Sequence, residues 1–128
     1  MSETIPGPIP ATDLRIIDGD TIVVRVRIWL GQDLDTQVRL DGVDAPELNG
    51  RCPYENRLAL KARAFVQTRT AKGKVILHDI HYGKYAGRVV ARGQMPGGED
   101  LSDALLRAGL GRVYQGRRWA SWCQATAP

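Results

Sequence analysis

No apolar run in this 128-residue chain approaches the roughly 20 residues that a membrane-spanning helix needs. No helical span is therefore expected. Cysteine is scarce, with Cys52 and Cys123 alone. Two thiols cannot complete a tetrahedral zinc site by themselves. The only histidines, His78 and His81, read as strand residues. The two thiols leave two readings open. One is a Cys52–Cys123 disulfide, worth about 4 kcal/mol for a loop of that length in the chain-entropy model. The other is a pair of free thiols. There is no internal repeat and no low-complexity block. Residues 1–11 lack the basic start and continuous apolar stretch of a secretory signal. Pro6, Pro8 and Pro10 forbid a helix there, so an extended lead-in is expected. The chain is then either cytoplasmic or one from which a signal was removed.

What is present is the composition of one ordinary globular domain, 43% hydrophobic and 25% charged. The formal net charge of +4 and a pI near 9.4 favour a polyanionic partner. Thr21–Leu30 alternates, with Ile22, Val24, Val26 and Ile28 on one face and Val23, Arg25 and Arg27 on the other. A period of two predicts a half-buried strand. Leu14–Ile17 and Thr36–Leu40 read as further strands, with a turn at Gly31-Gln32-Asp33. In 53–70 the period lengthens. Leu58, Ala62, Phe65 and Val66, with Ala59 nearby, share a helical face. Pro53 and Glu55 suit its first turn. Lys74–His81 and Arg88–Met95 read as strands, the first with Val75, Leu77 and Asp79 against Ile76, His78 and Ile80. A second helix is expected after Asp100 or Ser102, ending at Gly109. Five strands with one interposed helix fit an α+β five-stranded Greek-key barrel of the oligonucleotide-binding (OB-fold) kind, with two helices. The expected layout is a lead-in over 1–11, a barrel domain over 12–116 and a Trp- and Cys-containing tail over 117–128.

Two acidic clusters stand at strand ends, Asp18-Gly19-Asp20-Thr21 and Asp41-Gly42-Val43-Asp44-Ala45-Pro46-Glu47, the second preceded by Arg39. Alone, each is a tight turn or a polar loop. Jointly they supply what phosphodiester hydrolysis needs. Carboxylates suit a hard cation such as calcium. An acid can orient or deprotonate water, and an arginine fork matches phosphate oxygens.

With these motifs the sequence resembles the staphylococcal nuclease (thermonuclease) family. The resemblance runs through Asp18-Gly19-Asp20-Thr21 and Arg39-Leu40-x-Gly42-Val43-Asp44-x-Pro46-Glu47. It continues in Lys84-Tyr85-x-Gly87-Arg88 and Leu105-x-x-x-Gly109-Leu110. It implies a calcium-dependent nuclease acting on DNA and RNA with little sequence preference and leaving 3′-phosphates, and a monomer is expected. It further implies that Asp20, Asp44 and the Ala45 carbonyl hold calcium, and that Glu47 handles the attacking water. Arg39 and Arg88 would bind the scissile phosphate, and Lys84 and Tyr85 a neighbouring nucleotide. Plainer readings make Arg88 a surface strand residue, Lys84 a turn charge and Tyr85 part of the core.

The chain departs from the family pattern in the turn before Arg88. Gly83 stands where an Asp is common, and Ala86 is an extra residue. A displacement of about 1 Å there costs on the order of a hundredfold in rate. The other reading is therefore a catalytically weak or inactive module of the same fold that binds nucleic acid or protein. The Cys and Trp features of the tail resemble a branch found in secreted or periplasmic bacterial proteins, which implies export.

Overall fold

The computed structural model describes residues 3–84, 87–114 and 122–123. Five strands come first: β1 (Thr4–Ile5), β2 (Ile9–Asp18), β3 (Thr21–Trp29), β4 (Gln32–Leu40) and β5 (Val43–Asp44). Then follow α1 (Pro53–Thr70), β6 (Val75–Tyr82), β7 (Arg88–Gln94), α2 (Leu101–Arg107) and β8 (Arg112–Val113). Antiparallel pairs join β2 to β3, β3 to β4, β6 to β2 and β6 to β7, and a parallel pair joins β4 to β7. These pairings return the sheet onto itself as a closed five-stranded barrel with two helices, the expected OB-fold. Closure removes the edges that so small a sheet would otherwise expose. No described helix is long and apolar enough to cross a membrane.

The strand alternation fills the barrel. Ile22, Val24 and Val26 of β3, Val38 and Leu40 of β4 and Val75 and Leu77 of β6 are all buried. Ile28 departs from its expected face and is exposed with Trp29 and Leu30. The cause is pairing: β2 accompanies β3 only as far as Val26, and β7 joins β4 only from Gln37. The outer part of the β3–β4 hairpin thus stands clear of the barrel. Trp29 pairs with Gln32, so the turn is Leu30-Gly31, earlier than expected, and Gly31 takes a positive φ of 74°. The alternation expected in β6 also breaks. Asp79 adopts φ 54° in a bulge, which moves Ile80 onto the core. The lead-in is extended and paired: β1 lies against Ile80 and His81, and the Asp79 N–H donates to the Pro6 carbonyl at 3.0 Å.

α1 closes the barrel with a narrower face than its periodicity predicts. Ala59, Ala62, Val66 and Thr70 are buried with Glu55, while Leu58 is only half-buried. Small residues let the helix come close. A Cβ on Gly19 would stand 2.9 Å from the Ala62 Cβ, so the β2–β3 turn must be glycine there. For α2, Asp100 is the N-cap, accepting from the Asp103 N–H at 3.1 Å. Ser102 instead donates to the Asp41 carbonyl at 2.6 Å.

Cys52 and Cys123 form a disulfide with Cα atoms 6.0 Å apart and a sequence separation of 71. Of the tail beyond Tyr114, only Trp122 and Cys123 are among the described residues, and the Arg112 guanidinium stacks 3.9 Å from the Trp122 ring.

Candidate active site

The β2–β3 hairpin builds the first part of the site. Asp18 pairs with Thr21, so Gly19-Asp20 is a two-residue turn. That turn drives the Asp20 carboxylate inward. Its Oδ1 accepts from the Thr21 hydroxyl at 3.1 Å and its Oδ2 from the Ala45 N–H at 3.0 Å. Arg39 Nη1 lies 3.5 Å from the same Oδ2. Burial pushes the Asp20 pKa up, against the Ala45 N–H, the Arg39 charge and the Thr21 hydroxyl, which pull it down.

Arg39 sits opposite Thr21 in the β3–β4 ladder. Its guanidinium bridges two acids, with Nη2 3.7 Å from Asp44 Oδ1. It also stacks 4.8 Å from the centre of the Tyr114 ring. Asp44 lies just beyond the Asp41-Gly42 turn, where Gly42 has φ 83°. β5 is pinned there by β8, and the Tyr114 N–H donates to the Gly42 carbonyl at 3.1 Å. Burial raises the Asp44 pKa too, opposed by Arg39 and Arg112. Two carboxylates that are costly to charge, placed on either side of one cation, are suited to further positive charge.

The parallel pairing of β4 with β7 brings Arg88 beside Gln37. The donor and acceptor pattern requires the Gln37 amide oxygen to face Arg88, where it accepts from Nε and Nη2 at 2.6 Å each. Gln37 and Arg39 are two apart in one strand, so Arg88 and Arg39 approach the same region from neighbouring strands. Lys84 follows β6 on the same side. Arg39, Asp44, Glu47, Lys84, Arg88 and Tyr114 line one cleft of about 460 Å³, together with Asp41 and Gly83.

The loop carrying Glu47 is held by carboxylates. Asp20 takes the Ala45 N–H, and Asp18 Oδ1 takes the Leu48 N–H at 3.0 Å. Glu55 takes two more, from Glu47 at 3.2 Å and Arg51 at 3.3 Å. Cys52 caps α1 without a side-chain hydrogen bond, and Glu55, three residues on, is turned back into the loop. The wrap is close: a Cβ on Gly50 would meet the Glu55 Cδ at 2.5 Å.

Of the residues expected from sequence, Arg39, Asp44, Glu47, Lys84 and Arg88 thus share the cleft. Asp20 and Ala45 are buried behind it. Tyr85 lies outside the described residues, as does Ala86. Sequence reasoning gave no site role to Gln37 or Asp41, read Glu55 as a first-turn acid of the helix, and read Asp18 as part of a turn. The one available signal was at Glu55, an acid three residues after a cap position that holds a cysteine.

For a divalent ion the available donors are oxygens: the Asp20 and Asp44 carboxylates and the Ala45 carbonyl. Among the described residues, no group of three or more acidic, His or Cys side chains is placed to hold a metal ion. The donor type fits a hard cation such as calcium, with water completing its shell.

Residues 37–125 match the family described as staphylococcal nuclease homologue. No curated protein matches the chain.

Proposed function

The chain belongs to the staphylococcal nuclease homologue family, and from that premise we propose that it hydrolyses phosphodiester bonds of DNA and RNA with calcium and little sequence preference. The observation that supports this most is the cleft in which Glu47, Arg39 and Arg88 meet beside Asp44. Both arginines supply planar donor forks for phosphate oxygens. Their charge stabilises the extra negative charge of a five-coordinate phosphorus. Glu47 accepts a proton from the attacking water as its oxygen bonds to phosphorus. The bond from phosphorus to the 5′ oxygen breaks, that oxygen takes up a proton, and a 3′-phosphate remains. Asp20, Asp44 and the Ala45 carbonyl would hold calcium, which supplies Lewis acidity toward the phosphate. Lys84 and Tyr85 are proposed to steady a neighbouring nucleotide. Contacts to phosphates rather than base edges account for the broad preference. The disulfide suits an oxidising compartment, which supports export. Nothing in the reaction requires more than one chain, so we propose a monomer.

The test is digestion of plasmid and single-stranded DNA with calcium, with magnesium and with chelator, beside Glu47→Gln and Arg88→Ala. Calcium-dependent cleavage that collapses in both variants is the expected result. No cleavage by folded wild-type protein with any cation would leave a nucleic-acid- or protein-binding module. Wild-type rates in both variants would overturn the residue assignments.

A further inference from the structure

The positive charge of this chain is confined to one region. It has 18 Lys and Arg against 14 Asp and Glu. Between residues 56 and 78 stand Arg57, Lys61, Arg63, Arg69, Lys72 and Lys74, with no acid at all. The remainder therefore holds twelve cations against fourteen acids and is slightly negative. The only acid of α1, Glu55, is buried and bonded to loop amides.

The cations of this region also differ in their pairing. On the barrel, Arg25 meets Asp35, Arg27 meets Asp33 and Arg92 meets Asp100, and on α2 Arg107 meets Glu99. None of the six between 56 and 78 makes an ion pair among the described residues. Arg57, Lys61 and Lys72 are exposed. At about 3.6 residues per turn Arg57 and Lys61 fall within roughly 40° of one another on α1, and Lys72 lies in the turn just beyond its last residue, Thr70. Arg69 and Lys72 suit the negative end of the helix dipole, but Arg57 and Lys61 do not. Those two also repel each other at a spacing of four. Arg51, exposed in the loop between Glu47 and α1, is a further cation beside this region in sequence.

We propose that the outer face of α1 and the turn that follows it, marked by Arg57, Lys61 and Lys72, form a docking surface for the phosphate backbone of nucleic acid flanking the bond in the cleft. The inference rests on the proposed nuclease activity only for the identity of the polyanion. A solvated helix face explains solubility, but not a run of six cations with no acid among them, while Arg25, Arg27 and Arg92 of the barrel each meet a carboxylate. Backbone contacts of this kind release counterions, so they declare themselves in the salt dependence of binding.

The test compares Glu47→Gln, as a non-cleaving protein, with the same protein also carrying Arg57→Gln, Lys61→Gln and Lys72→Gln. Binding of a labelled single strand of roughly 20 nucleotides is measured over a range of salt. The expected result is at least about tenfold weaker binding at low salt and a slope of log K against log salt shallower by about two. An unchanged slope overturns the proposal. The three substitutions are also placed in the cleaving protein and assayed on a dinucleotide, which carries one phosphodiester and no flanking backbone. Unchanged turnover is expected, and an equal loss on dinucleotide and long strand overturns the proposal, because the effect would then run through the cleft. Heparin and anionic lipid vesicles serve as rival polyanions. Binding of those through α1 without binding of nucleic acid also overturns it. A wild type that cleaves nothing, with the slope change present, refutes the nuclease reading and leaves the docking surface standing.

Discussion

Replacing Glu55 with alanine removes the acceptor of two backbone donors, the N–H groups of Glu47 and Arg51. An unsatisfied buried donor costs about 1–3 kcal/mol. Glu47 and Arg51 are exposed residues, so water replaces part of what is lost. A net loss of about 2 kcal/mol is the reasonable figure, or roughly 8 °C in Tm for a domain of this size. The effect on turnover should be larger than that stability change implies. A loop released by its anchor moves the Glu47 carboxylate, and about 1 Å of misplacement costs on the order of a hundredfold. The assay is a double-mutant cycle on kcat with Glu55→Ala and Glu47→Gln, with Tm measured on all four proteins. If Glu55 acts by placing Glu47, Glu55→Ala lowers kcat steeply in wild type and hardly at all once Glu47 is Gln, while Tm falls equally in both. Glu55→Gln, which keeps one acceptor oxygen, should lie between. Equal factors on kcat in both backgrounds would refute the reasoning and leave Glu55 a packing residue.

Gln37→Leu takes away the oxygen that meets two Arg88 nitrogens, and kcat should fall on the order of tenfold or more with little change in Tm; wild-type kcat would mean that the β4–β7 register alone positions Arg88. Asp20→Asn should raise Tm near neutral pH in chelator and abolish any rise in Tm on adding calcium. The sign follows from burial, which holds the folded Asp20 pKa above the ordinary 3.8. The folded chain therefore binds this proton more tightly than the unfolded chain, so the residue's contribution is present at low pH and lost as pH rises through the folded pKa. Asparagine does not titrate, and the fall in Tm over that interval should flatten; an unaltered pH profile would refute the role given to burial.

Periodicity made most of the barrel legible because alternation reports directly on which side of a strand is buried. Ile22, Val24 and Val26 are in the core for that reason. It failed where the backbone leaves its period. The Asp79 bulge reverses the phase of β6, and no spacing rule forecasts a residue at positive φ. It failed at Ile28 because burial also needs a neighbouring strand, and β2 ends its pairing with β3 at Val26. In α1 the apolar stripe overweighted Leu58 and Phe65. Close approach to the Gly19 turn rewards Ala59 and Ala62 instead. The acidic motifs were legible as candidate site residues because they are local in sequence. Their anchors were not. Gln37 meets Arg88 only through a parallel pairing across 51 positions, and Glu55 reads as an ordinary first-turn acid until the loop is seen folded over it.

The same anchors divide the acids of the site by task. Asp18 and Glu55 bond only the backbone of the Glu47 loop in the contacts described above. Asp20 bonds that backbone and also faces Arg39. Asp44 and Glu47 line the cleft. The turn reading of Asp18-Gly19-Asp20 holds, and the tight hairpin is what aims Asp20 at Ala45. Replacing Asp20 must disturb two functions together, the placing of Ala45 and the negative charge beside Arg39. Loss of activity at Asp18, Asp20 or Glu55 consequently cannot by itself identify an ion ligand. Asp44→Asn is the cleaner probe. A loss of calcium dependence there, with the loop still in place, would separate ligation from support.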